Sequence, residues 1–421
     1  MDILAINCGS SSLKYQLYDW DKKEVIAKGL VERVTIGGSF IVHEVPGKEK
    51  YKKEHECPNH TEAIDLVTKT LLDPEVGVLK DITQIAAVGH RVVHGGEKFT
   101  CSVKIDDSVL QTVKDVAHLA PLHNPPNISG IEAAQAVLPN VPHIAIFDTA
   151  FHQTMPEEAF IYPLPHEWYE KHGVRRYGFH GTSHLYVSKR AAVMLGKPAK
   201  DCNIITMHIG NGVSHTAIKN GLSVDTSMGL TPLEGAVMGT RCGDIDPAIP
   251  AFMMQVENLS AKEIDSVLNK KSGILGITKR FTDRRDVIAN AEQGDHLCQL
   301  AVQIEAYRLK KYVGSYMSIL GRLDAVVFTA GVGERGWQIR EKALENLEHL
   351  GIILDKERNK AACKGKEAVI TTDASPIKVF VIPTDEELVF TEDVVGILNG
   401  TYTDHMNYPY SFCSKDYVRH G

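Results

Sequence analysis

The segment Asn7–Lys14 brings together residue types that can bind an anion. Gly9 allows close approach of the backbone, the three serine hydroxyls that follow can donate hydrogen bonds, and Lys14 supplies a positive charge. The chain has no G-x-x-x-x-G-K-S/T motif, so a phosphate site in this segment would not be a P-loop. The alternative interpretation is a polar hairpin turn with a solvated lysine.

A second candidate, His208–Gly212, follows another strand-like run about 200 residues later. Asn-Gly alone is typical of an ordinary hairpin turn, but its pairing with Asn7–Lys14 favours a second anion-binding loop. Each segment lies between two strand-like runs. Two such units predict a chain built from two homologous halves.

A third glycine-rich segment, Gly331–Gly336, satisfies the pattern G-x-G-x-x-G. It follows the apolar run Ala325–Thr329 and precedes the helix-like stretch Trp337–Leu350, and Asp355 lies 19 residues beyond Gly336. These are the features of a dinucleotide-binding fingerprint. A glycine loop between a strand and a helix binds anionic ligands in general and does not distinguish NAD from ATP. The segment therefore predicts nucleotide binding, and an NAD-dependent oxidoreductase stays open as an alternative.

Charged residues in turns that follow apolar runs are candidate catalytic groups. Arg91 and Arg241 lie in glycine-flanked turns, and the planar guanidinium suits carboxylate or phosphoryl oxygens. Asp148 follows Ile144–Phe147, at the end of a predicted strand, although it could also cap a helix. The histidines of Tyr177–His184 precede or begin a helix, whose positive end favours neutral imidazole. We expect His184 to be structural.

The elements that must position these groups alternate along the chain. Helices are predicted at Thr61–Leu72, at Ser183–Leu195 with Ser183 as the cap, and at Asp295–Leu320. Strands are predicted at Ala325–Thr329 and Val379–Ile382. This alternation, in a chain of 421 residues, predicts two domains of α/β layers with partly parallel sheets.

Composition restricts the partners and the compartment. The formal net charge is −7 and no apolar run approaches the ~20 residues that span a bilayer, so we expect neither a nucleic-acid nor a membrane partner. The first residues lack the basic region of a signal peptide. Eight cysteines are scattered without a C-x-x-C motif, which favours a reducing, cytoplasmic location.

Several long motifs in order resemble the acetate kinase family, over nearly the whole chain to about residue 400. They are Asn7–Lys14, Phe147–His152, Tyr177–His184, Met207–Gly212, Asp283–Asp286 and Pro383–Glu387. The resemblance implies the superfold shared by acetate and sugar kinases, heat-shock ATPases and actin. This fold consists of two duplicated actin-like ATPase (ribonuclease H-like) domains with a central cleft. The implied domains are residues 1–149 with 386–421, and residues 150–385, which would bind nucleotide and join a homodimer.

The resemblance also implies a role for individual residues. Asp148 would be the active-site carboxylate, His180 and Arg241 would stabilise the transition state, and Arg91 would bind the substrate carboxylate. A small pocket for the substrate methyl group would be lined by Val93, Leu122, Phe179 and Pro232. Asn7 and Glu386 would help to hold Mg²⁺, with Mn²⁺ as the alternative metal. ATP or ADP would contact Lys14, His208, Ile209, Gly210, Asn211, Gly212, Asp283, Arg284, Arg285, Gly331, Val332, Gly333, Glu334 and Arg335.

The implied reaction is reversible transfer of the ATP γ-phosphoryl group to acetate, giving acetyl phosphate and ADP. A carboxylic acid with a pKa of about 4–5 is already ionised at neutral pH, so we expect Asp148 to position other groups rather than to act as a base. A propionate kinase of the same fold and a non-enzymatic ATP-switched binding protein are further alternatives.

The sequence departs from the family pattern at three places. Cys8 replaces an alanine, and Arg335-Gly336 replaces an asparagine–serine pair. Residues 401–421 extend past the usual end of the family and contain Tyr402, Tyr408, Tyr410, Phe412 and Tyr417.

Overall fold

The first hairpin predicted from the sequence is present, because β1 (Asp2–Cys8) pairs antiparallel with β2 (Ser12–Asp19) and Asn7 lies opposite Lys14. The computed structural model describes residues 1–121 and 123–419. Buried Ile3, Leu4 and Leu13 anchor the two strands. The backbone amide of Gly9 donates to the Ser12 carbonyl at 2.8 Å and closes the turn.

The chain divides into two units: Met1–Gln153 together with the residues from Asp385 onward, and Thr154–Thr384. We call them unit 1 and unit 2. The other strands of unit 1 are β3 (Glu24–Glu32), β4 (Phe40–Glu44), β5 (Tyr51–Glu54), β6 (Ile85–Val92), β7 (Val103–Lys104) and β8 (His143–Phe147). Its first three helices are α1 (His60–Leu71), α2 (Asp107–Asp115) and α3 (Asn124–Val137). The strand order is β5-β4-β3-β2-β1-β6-β8-β7, with β1, β6 and β8 parallel to one another.

Unit 2 contains a second mixed sheet. Its strands are β9 (Asn203–Ile209), β10 (Val213–Lys219), β11 (Leu222–Thr226), β12 (Ala325–Thr329), β13 (Ala368–Val369) and β14 (Lys378–Val381). Its helices are α4 (Glu157–Phe160), α5 (His166–His172), α6 (Gly181–Leu195), α7 (Ala248–Val256), α8 (Ala261–Lys270), α9 (Gly273–Thr278), α10 (Arg284–Glu292), α11 (His296–Leu320), α12 (Ala330–Arg335), α13 (Trp337–Leu344) and α14 (Lys356–Ala361).

The two sheets share one topology. The order β11-β10-β9-β12-β14 in unit 2 repeats β3-β2-β1-β6-β8 in unit 1. In both, an antiparallel meander is followed by two parallel strands. The prediction of two related α/β halves is therefore confirmed.

The last helix, α15 (Glu386–Leu398), belongs to unit 1. Its side chains Phe390, Val394 and Val395 pack against a cluster that includes Ile3 and Ile146 of the sheet. Burial of this apolar face holds α15 on the sheet. The N-terminal turn of the helix therefore has a fixed place in unit 1.

Most predicted helices occur within a residue or two of their predicted bounds, and one start was wrong. Asn59 caps α1 and Asp295 caps α11, each through its side chain. Helix α6, however, begins at Gly181, so Ser183 is not its cap. Ser183 is instead fully buried, and its hydroxyl pairs with His208 at 2.8 Å. Among the helices of the described chain, none is long and apolar enough to cross a membrane.

The contact between Cys8 and α3 leads to a stability prediction. A Cβ added at Gly130 would lie 2.8 Å from the Cβ of Cys8 and closer still to its sulfur. We expect Gly130→Ala to lower the free energy of unfolding by about 1–3 kcal/mol, because overpacking outweighs the helix propensity of alanine. Urea denaturation should show partial recovery in Cys8→Ala/Gly130→Ala, and strict additivity of the two changes would contradict the packing explanation.

Candidate active site

Arg91 and Asp148 form a bidentate ion pair in unit 1. Strands β6 and β8 are parallel neighbours, with Val92 beside Phe147, so both side chains lie at the same carboxyl edge of the sheet. Arg91 Nε donates to Asp148 Oδ1 at 2.9 Å, and Nη2 donates to Oδ2 at 2.6 Å. The Asp148 side chain is 2% exposed and that of Arg91 is 23% exposed. Burial opposes the charge on Arg91, but the Asp148 carboxylate outweighs it and the pKa of Arg91 is raised.

Arg91 of this pair lines a cavity of about 410 Å³ in unit 1. Its polar lining includes Arg91, Asn7, Lys14, Glu386 and Glu387. The β1–β2 hairpin places Asn7 and Lys14, and the first turn of α15 places the two glutamates. Negative side chains are favourable there because the N-terminus of a helix carries partial positive charge.

The same lining has the chemistry of a magnesium site. Glu386, Glu387 and Asn7 offer carboxylate and amide oxygens, the donors that Mg²⁺ prefers, and Mg²⁺ usually keeps several waters when it binds few protein ligands. No group of three or more His, Cys, Asp or Glu residues with metal-binding geometry occurs within residues 1–121 and 123–419. The carboxylate and amide oxygens of this lining are the donors that suit a hard, partly hydrated cation.

The residues implied for a methyl pocket occupy both units. Val93 is buried in unit 1, where its amide donates to Asn127 Oδ1 at 3.0 Å. Phe179 is buried in unit 2, and Pro232 lies in the same unit with its carbonyl bonded to Arg241. Leu122 lies outside the described residues.

His180 is held by a network of hydroxyl groups in unit 2. It precedes α6 with a left-handed backbone, φ +56°. Its Nδ1 pairs with the Ser214 hydroxyl at 2.8 Å, and its ring stacks on His208 with centroids 4.1 Å apart. His184 pairs with the same Ser214 hydroxyl at 2.7 Å and with Thr206 at 2.7 Å. Sequence reasoning did not identify Ser214 or Thr206, because hydroxyls on buried strands carry no local signal.

Arg241 is a half-buried cation without a carboxylate partner among the described residues. Its Nη1 donates to the Pro232 carbonyl at 3.1 Å, and burial lowers the pKa of Arg241. A Cβ at Gly212 would lie 3.5 Å from this Nη1 and 3.4 Å from His180 Cε1, so the loop lies beside both side chains. Because arginine stays protonated in proteins, this guanidinium is suited to an anion.

A larger cavity of about 750 Å³ lies elsewhere in unit 2. Its wall brings together residues for which the resemblance implies nucleotide contacts, namely Gly210, Asn211, Asp283, Arg284, Arg285, Gly331, Val332 and Arg335. Trp337 and Ile288 add apolar surface. A mixed apolar and hydrogen-bonding cavity of this size suits a small organic ligand.

The three charged residues at the start of α10 have different surroundings. Asp283 caps the helix, and Arg285 is exposed and pairs with Asp283. Arg284 is buried, and its Nε and Nη2 donate to Glu305 Oε1 at 3.1 and 3.0 Å. The Arg284 guanidinium therefore fixes the start of α10 against α11.

The G-x-G-x-x-G segment is a helix, so the prediction of a loop there was wrong. Helix α12 begins at Ala330, directly after β12, and the predicted Trp337–Leu350 helix is divided into α13 and a short 3-10 turn. Asp355 caps α14 through the amides of Glu357 and Arg358. The acidic residue that a dinucleotide fold would direct at ribose is thus used as a helix cap, which removes the basis for the NAD alternative.

Arg340 is a structural residue that the sequence did not reveal. It is fully buried in α13, and its guanidinium donates to the carbonyls of Gly333 and Glu334 at 2.8 and 2.9 Å. These carbonyls belong to the end of α12, where the helix dipole favours a cation. In the sequence it resembled any surface arginine of an amphipathic helix.

Comparison with known proteins gives consistent matches. Residues 2–392 match the model of the acetokinase family. An acetate kinase from Geobacter metallireducens is 78% identical over 100% of both chains. The crystal structure of Porphyromonas gingivalis acetate kinase matches with a TM-score of 0.91 and 46% identity, covering 94% of this chain and 99% of that one. A propionate kinase from Francisella tularensis matches with a TM-score of 0.87 and 41% identity, covering 93% and 98%. The predicted fold class is confirmed by these structures.

The buried pair in unit 2 leads to a second stability prediction. Glu305→Gln should lower the free energy of unfolding by about 3–5 kcal/mol, because it leaves the Arg284 cation buried without a counter-charge. The double variant Arg284→Met/Glu305→Leu should recover most of that loss, since it removes both charges. Urea unfolding curves of the three proteins measure this, and a double variant no more stable than Glu305→Gln would contradict it.

Proposed function

Because the chain belongs to the acetokinase family, we propose that it is an enzyme that transfers the γ-phosphoryl group of ATP reversibly to acetate. The observation that carries the proposal is the hydrogen bonding of the Arg91 guanidinium. Its Nε and Nη2 are held by Asp148, whereas within the described residues its Nη1 forms no hydrogen bond. A fixed guanidinium with a free donor edge, in a cavity of about 410 Å³, suits a small carboxylate.

The role proposed for Asp148 is to orient Arg91. Acetate is ionised at neutral pH, since such acids have a pKa of about 4–5, so one of its oxygens can attack the γ-phosphorus without a base. The P–O bond to the leaving ADP breaks on the opposite side. Asp148 fixes two of the five guanidinium N–H groups and thereby holds the acceptor-binding edge in one direction.

The groups proposed to stabilise the transition state come from unit 2. Charge in phosphoryl transfer is spread over the three equatorial oxygens. Arg241 is a half-buried donor that has no carboxylate partner in residues 1–121 and 123–419, and His180 is fixed by Ser214. Preorganised donors of this kind stabilise developing charge without reorganising. Val93, Leu122, Phe179 and Pro232 are proposed to surround the substrate methyl group.

The proposed metal ligands are Asn7 and Glu386, with Glu387 beside them in the same lining. When bound, Mg²⁺ or Mn²⁺ would neutralise phosphate charge. Lys14 from the opposite strand of the hairpin adds a positive charge at this position.

The nucleotide is proposed to bind in the 750 Å³ cavity of unit 2. The assigned contacts are Asp283–Arg285, Gly331–Arg335 and the His208–Gly212 turn. Ile209 is fully buried, so its contribution would be through the backbone. Arg335 lines this cavity where the family has an asparagine, and it would place a cation near the base or the phosphates.

The proposal includes a homodimer in the cytoplasm, with unit 1 (predicted as residues 1–149 and 386–421) for the acceptor and unit 2 (150–385) for nucleotide and dimer contacts. Ile249, Phe252 and Val256 lie on one face of α7 and are 42%, 60% and 62% exposed, which supports a partner on that face. The eight cysteines are scattered along the chain without a C-x-x-C motif, which supports a reducing compartment.

The decisive assay is formation of acetyl phosphate from acetate and MgATP, trapped as the hydroxamate. Propionate, butyrate and formate should be run in parallel, with NAD binding measured by calorimetry. We expect turnover with acetate and no NAD binding. ATP hydrolysis that is indifferent to every carboxylate would instead favour the ATP-switched binding protein.

The two arginines should each be essential for turnover. Arg91→Ala and Arg241→Ala should each lower kcat by about 100-fold or more, because each removes a charged donor from a trianionic transition state. Arg322→Ala is the control, since this exposed arginine pairs with Asp324 at the surface of unit 2. Near-normal kcat in either test variant, with circular dichroism unchanged, would contradict its assignment.

The preference of the enzyme for small carboxylic acids should depend on Val93. One extra methylene changes discrimination by about 1–3 kcal/mol, roughly 10- to 200-fold, so propionate should be a poor substrate and butyrate worse. Val93→Ala should relax this preference, which is measured as kcat/KM for the three acids. Wild-type preference for propionate would identify a propionate kinase of the same fold. An unchanged preference in Val93→Ala would contradict the assignment of Val93 to the pocket.

A further inference from the structure

Residues 402–419, which we call the C-terminal segment, form a continuous series of aromatic contacts in unit 1. Ring centroids are 5.4 Å apart for Tyr402 and Tyr408, 4.9 Å for Tyr408 and Tyr410, and 4.7 Å for Tyr410 and Phe412. Tyr410 and Phe412 are buried. The segment lies beyond residue 392, where the family match ends. The segment is therefore a packed element of this chain that has no role in the proposed reaction as described so far.

The C-terminal segment packs directly against α15. A Cβ added at Gly396 would lie 2.7 Å from the Tyr408 ring, so the absence of a side chain there lets the tyrosine lie on the helix. The Tyr402 amide donates to the Gly396 carbonyl at 3.0 Å. These contacts fix the segment along the C-terminal half of α15.

Two buried carboxylates of α15 take hydrogen bonds from the C-terminal segment. The Tyr410 hydroxyl donates to Asp393 at 2.6 Å, and the other Asp393 oxygen accepts from Ser102 at 2.6 Å. The Ser411 amide donates to Glu392 at 2.7 Å, and the Ser411 hydroxyl donates to the other oxygen of that carboxylate. Because a buried polar group without a partner is costly, these hydrogen bonds from the segment stabilise the two carboxylates in their buried positions on α15.

The far end of the segment reaches the other end of α15. Arg419 Nε lies 3.4 Å from Asp385 Oδ2, while Asp385 Oδ1 accepts from the Leu388 amide at 3.1 Å and caps the helix. The Arg419 and Asp385 side chains are 33% and 15% exposed. One carboxylate thus joins Arg419 to the first turn of α15. The next residue, Glu386, lines the cavity with Asn7 and Arg91.

We propose that Arg419 is a positioning residue for the metal and acceptor site, acting by fixing the Asp385 cap and thereby the direction of Glu386. The inference rests on the proposed function, because Glu386 is a metal ligand only in that proposal. Outer partners of metal ligands are positioned in this way in many sites, and their loss weakens metal binding without removing a ligand. Arg419, which lies beyond the end of the family-model match, thus supplies a second support for a ligand-bearing helix turn.

The test compares three full-length variants with the wild type: Arg419→Gln, Arg419→Lys and Lys415→Gln. Lys415 is an exposed cation of the same segment and serves as the matched control. Two quantities are measured: the Mg²⁺ concentration for half-maximal acetyl phosphate formation, and deuterium uptake by peptides that contain the first turn of α15. Deuterium uptake can be measured whether or not the variant is active as an enzyme.

Arg419→Gln should raise the half-maximal Mg²⁺ concentration by about threefold to tenfold with a smaller change in kcat, and it should speed exchange at the first turn of α15. Arg419→Lys should recover part of both effects, and Lys415→Gln should match the wild type. Faster exchange with an unchanged Mg²⁺ requirement would overturn the positioning role, as would an Arg419→Gln variant that matches Lys415→Gln in both measurements. A wild type that is inactive toward acetate would instead refute the proposed function.

Discussion

A charged side chain that is buried without a partner costs several kcal/mol, and this constraint accounts for the arrangement of the arginines in this chain. Arg284 is neutralised by Glu305, and Arg176 by Glu234. Arg340 has carbonyl oxygens instead. Asp148 binds only Nε and Nη2 of Arg91. The hydrogen-bond acceptors of Arg241 among the described residues are one carbonyl and one thioether. Arg91 and Arg241, which the proposed chemistry assigns to the substrates, thus keep guanidinium donors that no described residue binds, whereas Arg284 and Arg340 maintain the fold.

The Arg91–Asp148 pair depends on strand register. The two residues are 57 positions apart, and the pair forms because β6 and β8 are parallel and end together. Sequence alone indicated each residue at the end of an apolar run, which is a local property. It could not show the contact, because the order of strands in a sheet follows from packing of the whole domain. The duplicated meander was easier to predict, since its turns at Asn7–Lys14 and His208–Gly212 are local signals.

Sequence prediction was wrong at two places where one local sequence pattern is compatible with two different structures. Ser183 is a typical N-cap residue, but the left-handed backbone of His180 allows α6 to begin two residues earlier, and the serine is used for His208. The glycines of Gly331–Gly336 suggested a loop, whereas Arg340 binds the carbonyls that end α12 and stabilises a helix there. In both places a distant side chain decided the outcome. Caps such as Asn59 and Asp295 were predictable because their partners are within four residues.

The return of α15 to the first unit has a consequence for synthesis on the ribosome. Ile3, Ala87 and Ile146 are covered by Phe390, Val394 and Val395, which are translated only after the whole of Thr154–Thr384. Domains generally fold in the order in which they emerge, but here one face of the first sheet lacks its covering helix until the second unit has been made. Its apolar face must therefore stay exposed for most of translation, so the nascent chain is open to chaperones over that interval.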